Sequence, residues 1–305
     1  MTRRMGLLGL VMLALASIVV TGQQRFRGGI ELVHFGVVVT DRSGTPITGL
    51  TAADFEVRER GTKQTIQHFA AGEPDAMPPL HLGFLLDLSG SMERDIKDVR
   101  TAAIRFLSAV DTAVDVTLVD FDTEVRMARF AADDFPRLIE RIRMRSPGGW
   151  TAFYDAFATY LHGTSEQTGQ KIAVVYTDGA DTRSTLNRGE VLELLKVADV
   201  TVYVIGYLEG QSSSSRLTQR QLLGRFSDAT GGRAFFPASL REIDKIYDQI
   251  RGEIMARYSI GYVSTDERAD GAWRDVEIRL TRKDLPGARV RTRGGYFAPY
   301  RPAQP

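Results

Sequence analysis

The sequence predicts an α/β protein: a doubly wound, mostly parallel sheet covered by helices, with a smaller antiparallel β domain formed from the N- and C-terminal flanks. Three observations carry this. From His81 onward, short apolar runs alternate with amphipathic helical stretches, as a parallel sheet between helix layers requires. On either side of that block the apolar period changes to two, with turn residues between the runs. With 305 residues, 43% hydrophobic and 25% charged, the chain has material for one large core and one small one.

The chain opens on Arg3 and Arg4, followed by an apolar run from Met5 to Val20 and then Val20-Thr21-Gly22. Residues 1–22 therefore read as an export signal, and the protein is expected in the periplasm, cell envelope or extracellular space. An uncleaved anchor is the alternative, and any membrane association would run through this segment alone. The sequence contains no cysteine, which excludes disulfides and lipid attachment through an N-terminal cysteine. Lys and Arg number 39 against 38 Asp and Glu, a balance that favours neither nucleic acid nor an acidic membrane as partner.

In the flanks, Val33–Val39, Phe55–Val57, Tyr258–Tyr262 and Val276–Leu280 alternate as half-buried strands. Each flank is too small to bury a core alone. The simplest arrangement pairs residues 29–78 with residues 257–299, around an α/β domain inserted at residues 80–256; separate packing of each flank on that domain is the alternative. Within the insert, Leu82–Leu88, Val116–Phe121, Ile172–Tyr176 and Val200–Ile205 read as strands. Met92–Val110, Phe135–Ile142, Ala152–Leu161, Arg188–Val197 and Leu240–Ile254 carry helical spacing, giving a βαβα order throughout. Ser212–Ser215 reads as a surface loop.

The chemistry concentrates at strand ends. Asp87, Ser89 and Ser91 stand at alternate positions between a buried strand and a helix, where their oxygens can face one point, and Gly90 permits the tight path between the serines. Thr151 follows a glycine pair, and Asp178 ends another buried strand. These five side chains offer only oxygen, which suits Mg2+, with Mn2+ or Ca2+ as alternatives, rather than zinc or copper. Three of the five are neutral, so a bound cation would keep charge and a coordination position for an incoming carboxylate. As helix caps or turn residues, the same side chains would need no metal.

The pattern D-x-S-x-S at Asp87, Ser89 and Ser91, then Thr151, then Asp178, resembles the metal-ion-dependent adhesion site of von Willebrand factor A domains. That resemblance covers residues 80–256, and Trp150, between the glycines and Thr151, departs from it. It implies a Rossmann-like domain that grips an Asp or Glu of a protein ligand through the metal, in adhesion or assembly. Val39-Thr40-Asp41-Arg42-Ser43-Gly44, Asp54-Phe55-Glu56-Val57, Tyr258-Ser259-Ile260-Gly261-Tyr262 and Arg293-Gly294-Gly295-Tyr296 resemble the flanks of an exported, von Willebrand factor A-related family of acidobacteria.

Other polar residues receive plainer readings. Asp155 and Asp181 are structural or solvated, Asp120 and Asp122 are loop residues, and His34, His68, His81 and His162 lack metal-ligand spacing. Trp150 either anchors its loop or meets a partner. No nucleotide-binding glycine motif and no histidine or cysteine nucleophile accompanies the site, so catalysis is not expected and no catalytic residue is named. A structural component stiffened by metal is the alternative to a binding module, and a metal-assisted hydrolase the more remote one.

Overall fold

A computed structural model describes residues 32–72 and 77–301. The export segment expected at residues 1–22 lies outside the described residues. The N-terminal flank forms β1 (Leu32–Thr40), β2 (Phe55–Glu59), β3 (Thr62–Gln64) and β4 (Ile66–Ala71). The α/β block then runs through β5 (Leu80–Asp87), α1 (Ile96–Ala109), β6 (Ala113–Phe121), β7 (Val125–Ala131), α2 (Phe135–Met144), α3 (Phe153–Gly163) and β8 (Gln170–Thr177). It continues through α4 (Arg188–Val197), β9 (Thr201–Gly206), α5 (Ser213–Asp228), β10 (Arg233–Phe235) and α6 (Ile243–Met255). The C-terminal flank adds β11 (Tyr258–Val263), β12 (Trp273–Leu280), β13 (Arg289–Arg291) and β14 (Gly295–Phe297).

The large sheet has the order β10-β9-β8-β5-β6-β7 and is parallel except for β7. Its central strands are apolar on both faces because helices cover both. Leu82, Phe84 and Leu86 of β5 pack with Val99 and Phe106 of α1 and Ile246 and Ile250 of α6. Leu85, with Val175 and Val204 of the neighbouring strands, packs on Phe157, Leu195 and Phe226 of α3, α4 and α5. Each such side chain contributes on the order of 1.5–3 kcal/mol by leaving water.

Three expectations need correction. The βαβα order breaks at β7, which returns antiparallel along β6 as an edge strand and is interrupted by Arg126 and Arg129, so its apolar signal is weak. Ser212–Ser215 is not a loop: Ser212 caps α5, its hydroxyl accepting the Ser215 N–H at 3.3 Å, and the other three serines are helical. Asp120 is no loop residue either, being buried inside β6 and bound by Arg126, Arg141 and Arg145.

The flanks form two four-stranded sheets, β13-β1-β11-β4 and β14-β12-β2-β3, and each contains strands from both ends of the chain. β11 lies between β1 and β4, antiparallel to both, with Phe35 opposite Ile260 and Ala71 opposite Tyr258. Phe35, Val37, Phe55, Val57, Ile260, Tyr262 and Ile278 close a shared core. Glu59 of β2 joins the sheets from inside it, accepting the hydroxyls of Tyr262 at 2.8 Å and Tyr296 at 3.0 Å.

Candidate metal centre

β5 ends at Asp87 and β8 at Thr177, and the two strands are neighbours. The chain leaves β5 towards β6 on one side and reaches β8 on the other. Their C-terminal ends therefore flank the point where strand order reverses, the usual ligand position of an open α/β sheet.

Asp87 is fully buried. Its Oδ1 accepts the Ser89 N–H at 2.9 Å, and its Oδ2 accepts the Thr177 hydroxyl at 2.6 Å. The hydroxyls of Ser89 and Ser91 are 3.1 Å apart, Ser89 buried and Ser91 exposed. Neither serine caps α1, whose N-cap is Asp95. Ser89 precedes only the short turn Gly90–Met92, with no side-chain cap bond.

Thr151 arrives on a stitched loop. The Gly148 N–H donates to the Leu88 carbonyl at 2.8 Å, and the Gly90 N–H donates to the Gly149 carbonyl at 3.2 Å. Gly149 has φ +73° and presses on Thr123, whose hydroxyl would lie 2.3 Å from an added Cβ, so only glycine fits. Thr151 is buried, and its N–H donates to the Thr182 hydroxyl at 2.9 Å. The N-cap of α3 is Ala152, so Thr151 is not spent on capping either.

Asp178 follows β8 immediately, half-buried, and its Oδ1 accepts the Ala180 N–H at 3.4 Å. Burial pushes the Asp87 carboxyl up to about 7, and the charge of Asp178 adds to the effect; the bonds from Ser89 and Thr177 oppose it without cancelling it. Among the described residues neither carboxylate has a basic partner, whereas Asp120 at the next strand is held by three arginines. Two carboxylates that have no basic partner among the described residues and feel each other's charge, with the Ser89 and Ser91 hydroxyls beside Asp87, are donors of the kind a hard divalent cation takes.

Thr177 is the site residue that sequence reading missed. It donates to Asp87 and also accepts the Gly179 N–H at 3.0 Å, and its only signal is its place beside Asp178. The neighbouring aspartates are latches: Asp155 accepts the N–H groups of Thr185 and Leu186 at 2.9 and 3.1 Å, and Asp181 accepts that of Tyr154 at 3.0 Å. The Trp150 side chain is 63% exposed, so it does not anchor its loop.

The fold defines an α/β domain with oxygen-bearing side chains at a strand-order reversal. The chain belongs to the von Willebrand factor type A domain family, whose model matches residues 81–249. Among solved structures it resembles the pilus adhesin SpaC from Lactobacillus rhamnosus GG in its open conformation, with 10% identity and a TM-score of 0.52, over 86% of this chain and 49% of that one. It also resembles the PilB minor pilin from Streptococcus sanguinis, with 16% identity and a TM-score of 0.48, over 59% of this chain and 62% of that one. A von Willebrand factor type A protein from Catenulispora acidiphila aligns over 91% of this chain and 76% of its own, with 12% identity and a TM-score of 0.49. The alignments thus span less than two thirds of the SpaC and PilB chains. No curated protein matches the sequence.

Proposed function

We propose that Asp87, Ser89, Ser91, Thr151 and Asp178 form a metal-ion-dependent adhesion site that holds magnesium, or manganese or calcium in its place, and that the protein is an exported binding module. The observation that carries the reading is the pair of carboxylates, one of them buried, that lack any basic partner among the described residues. A bound magnesium ion supplies positive charge and an open coordination position for an Asp or Glu of a partner protein. The chain's own groups do the rest. Ser89 and Thr177 hold the Asp87 carboxylate in one orientation, the glycine stitch fixes Thr151, and exposed Trp150 offers an apolar contact beside the site.

A binding role is favoured over hydrolysis by the placement of the imidazoles. His34 and His68 belong to the flanking β sheets, His81 lies at the opposite end of β5, and exposed His162 lies near the far end of α3. None can serve as a base at the strand ends. An envelope location and an adhesive or assembly role fit the pilus proteins that share the fold, and the flank motifs fit an exported acidobacterial family.

The test is capture of partners from the cell envelope by the exported protein with magnesium, with chelator, and with the Asp87→Ala and Ser89→Ala variants. Capture only by the parent with magnesium is the expected result. Equal capture in all four arms overturns the metal grip, and equal magnesium binding by Asp87→Ala in calorimetry overturns the site. A metal that merely stiffens the domain would change the melting temperature and leave capture intact.

A further inference from the structure

Far from the strand ends, the foot of the α/β block meets the flanking sheet β13-β1-β11-β4 across a seam crowded with arginines. Arg257, between α6 and β11, is 7% exposed. Its Nη2 donates to the Thr201 hydroxyl at 2.5 Å, while Nε and Nη1 are buried without a partner. Its guanidinium lies against the backbone of Gly36, where an added Cβ would come within 2.0 Å of Nη2. Beside it stand Arg233, Arg291 and Arg293, and each of these has a carboxylate. Arg233 and Arg291 share the buried Glu253, and Arg293 reaches Asp199 at 3.4 Å. Both acids are thus engaged, and Arg257 is the cation left over among the described residues. The hydroxyls of Tyr203 and Thr292, in the same seam, are also buried without partners.

A lysine in this place could shed its proton, but a guanidinium cannot. An unpaired buried charge costs several kcal/mol, so the site demands compensation. Among the described residues no acceptor lies within bonding reach of Nε or Nη1, and the two nearby carboxylates already face other arginines. We infer that Arg257 holds a small monovalent anion of chloride size in the seam, and that this anion ties the α/β domain to the flanking β sheet. The Gly36 backbone already lies directly against the guanidinium, which favours a small anion over a bulky one. Hydration of Arg257 by water alone is the competing account.

The experiment follows thermal unfolding of the protein in chelator, so that the metal centre is silent, at constant ionic strength while sodium chloride replaces sodium gluconate. Stabilisation by a ligand of the folded state grows with the logarithm of its concentration. The expected result is a melting temperature that rises roughly 3 °C per tenfold increase in chloride above saturation. Arg257→Met should remove that dependence, and Arg105→Met, which breaks an exposed ion pair, should retain it. Identical melting in both salts, or a chloride response that survives in Arg257→Met, overturns the inference in favour of water. Should Arg257→Met fail to fold, crystals of the parent protein soaked in bromide decide: an anomalous peak in contact with Arg257 supports the anion, and its absence at an otherwise ordered seam refutes it.

Discussion

Thr177 shows how much of the proposed site rests on a residue outside its ligand set. Its hydroxyl donates to Asp87 and accepts from Gly179, tying the ends of β5 and β8 together. Positioning partners of this kind typically change metal affinity 10- to 100-fold. Thr177→Val should therefore weaken magnesium binding by about that factor in calorimetry; affinity equal to the parent's would show that Asp87 needs no such partner. Asp87 makes a prediction of its own. Its carboxyl sits near 7 in the folded protein against the 3.8 of an ordinary aspartate, so between those values the folded state binds a proton that the unfolded chain gives up. Stability of the metal-free protein should therefore fall as pH rises from about 4 to 7 and change no further above it. Urea titrations in chelator across pH 5 to 8 measure this. A midpoint that climbs with pH would mean that the carboxyl is not raised, and saturating magnesium should flatten the slope.

Element by element, legibility followed burial. β5, β8 and β9 are visible in sequence because both their faces lie under helices, leaving runs that are mostly apolar. β7 and α5 escaped for the opposite reason. β7 is an edge strand whose arginines bind Asp120 and the Gly163 carbonyl, and α5 buries only Leu223, Phe226 and Ser227 along sixteen residues. The first turn of α5 is held by its cap, so Ser212→Ala should lower stability by about 1 kcal/mol in denaturant unfolding, and Ser214→Ala, at an exposed helical position, by much less. Asp120→Ala carries a larger expectation. It strands Arg126, Arg141 and Arg145 around a buried gap, and a loss of about 3–5 kcal/mol is expected from removing one side of such a pairing. A loss under 1 kcal/mol would show that the arginines find water instead. In the candidate site, the two serines and both strand-end aspartates stand out by their spacing. The stitch that holds the Thr151 loop does not, because it is made by backbone groups of Leu88, Gly90, Gly148 and Gly149, far apart in sequence.

At the scale of the whole molecule, period-two alternation revealed the flanking strands but not their register, since β1 and β11 are separated by the entire α/β block. Their interdependence is strong. Among the described residues β11 lies between β1 and β4 and pairs with both, and β12 is a partner of β2. A chain ending at Ala256 would leave Phe35, Val37, Phe55 and Val57 without their covering strands. Such a truncation should lose hydrogen-exchange protection throughout residues 32–71, while β5, β8 and β9 retain it. Retained protection in β1 would mean that the N-terminal flank finds its own support on the α/β block.

The pairing of Ala71 with Tyr258 has a bearing on the missing cysteines. These residues lie just before and just after the α/β block, so their ladder gathers its two ends at one spot, a task that exported proteins often give to a disulfide. Held this way, the block is a closed loop whose clasp is made of backbone hydrogen bonds. A reductant has nothing to cut, and the clasp opens only when β11 itself peels away from its neighbours.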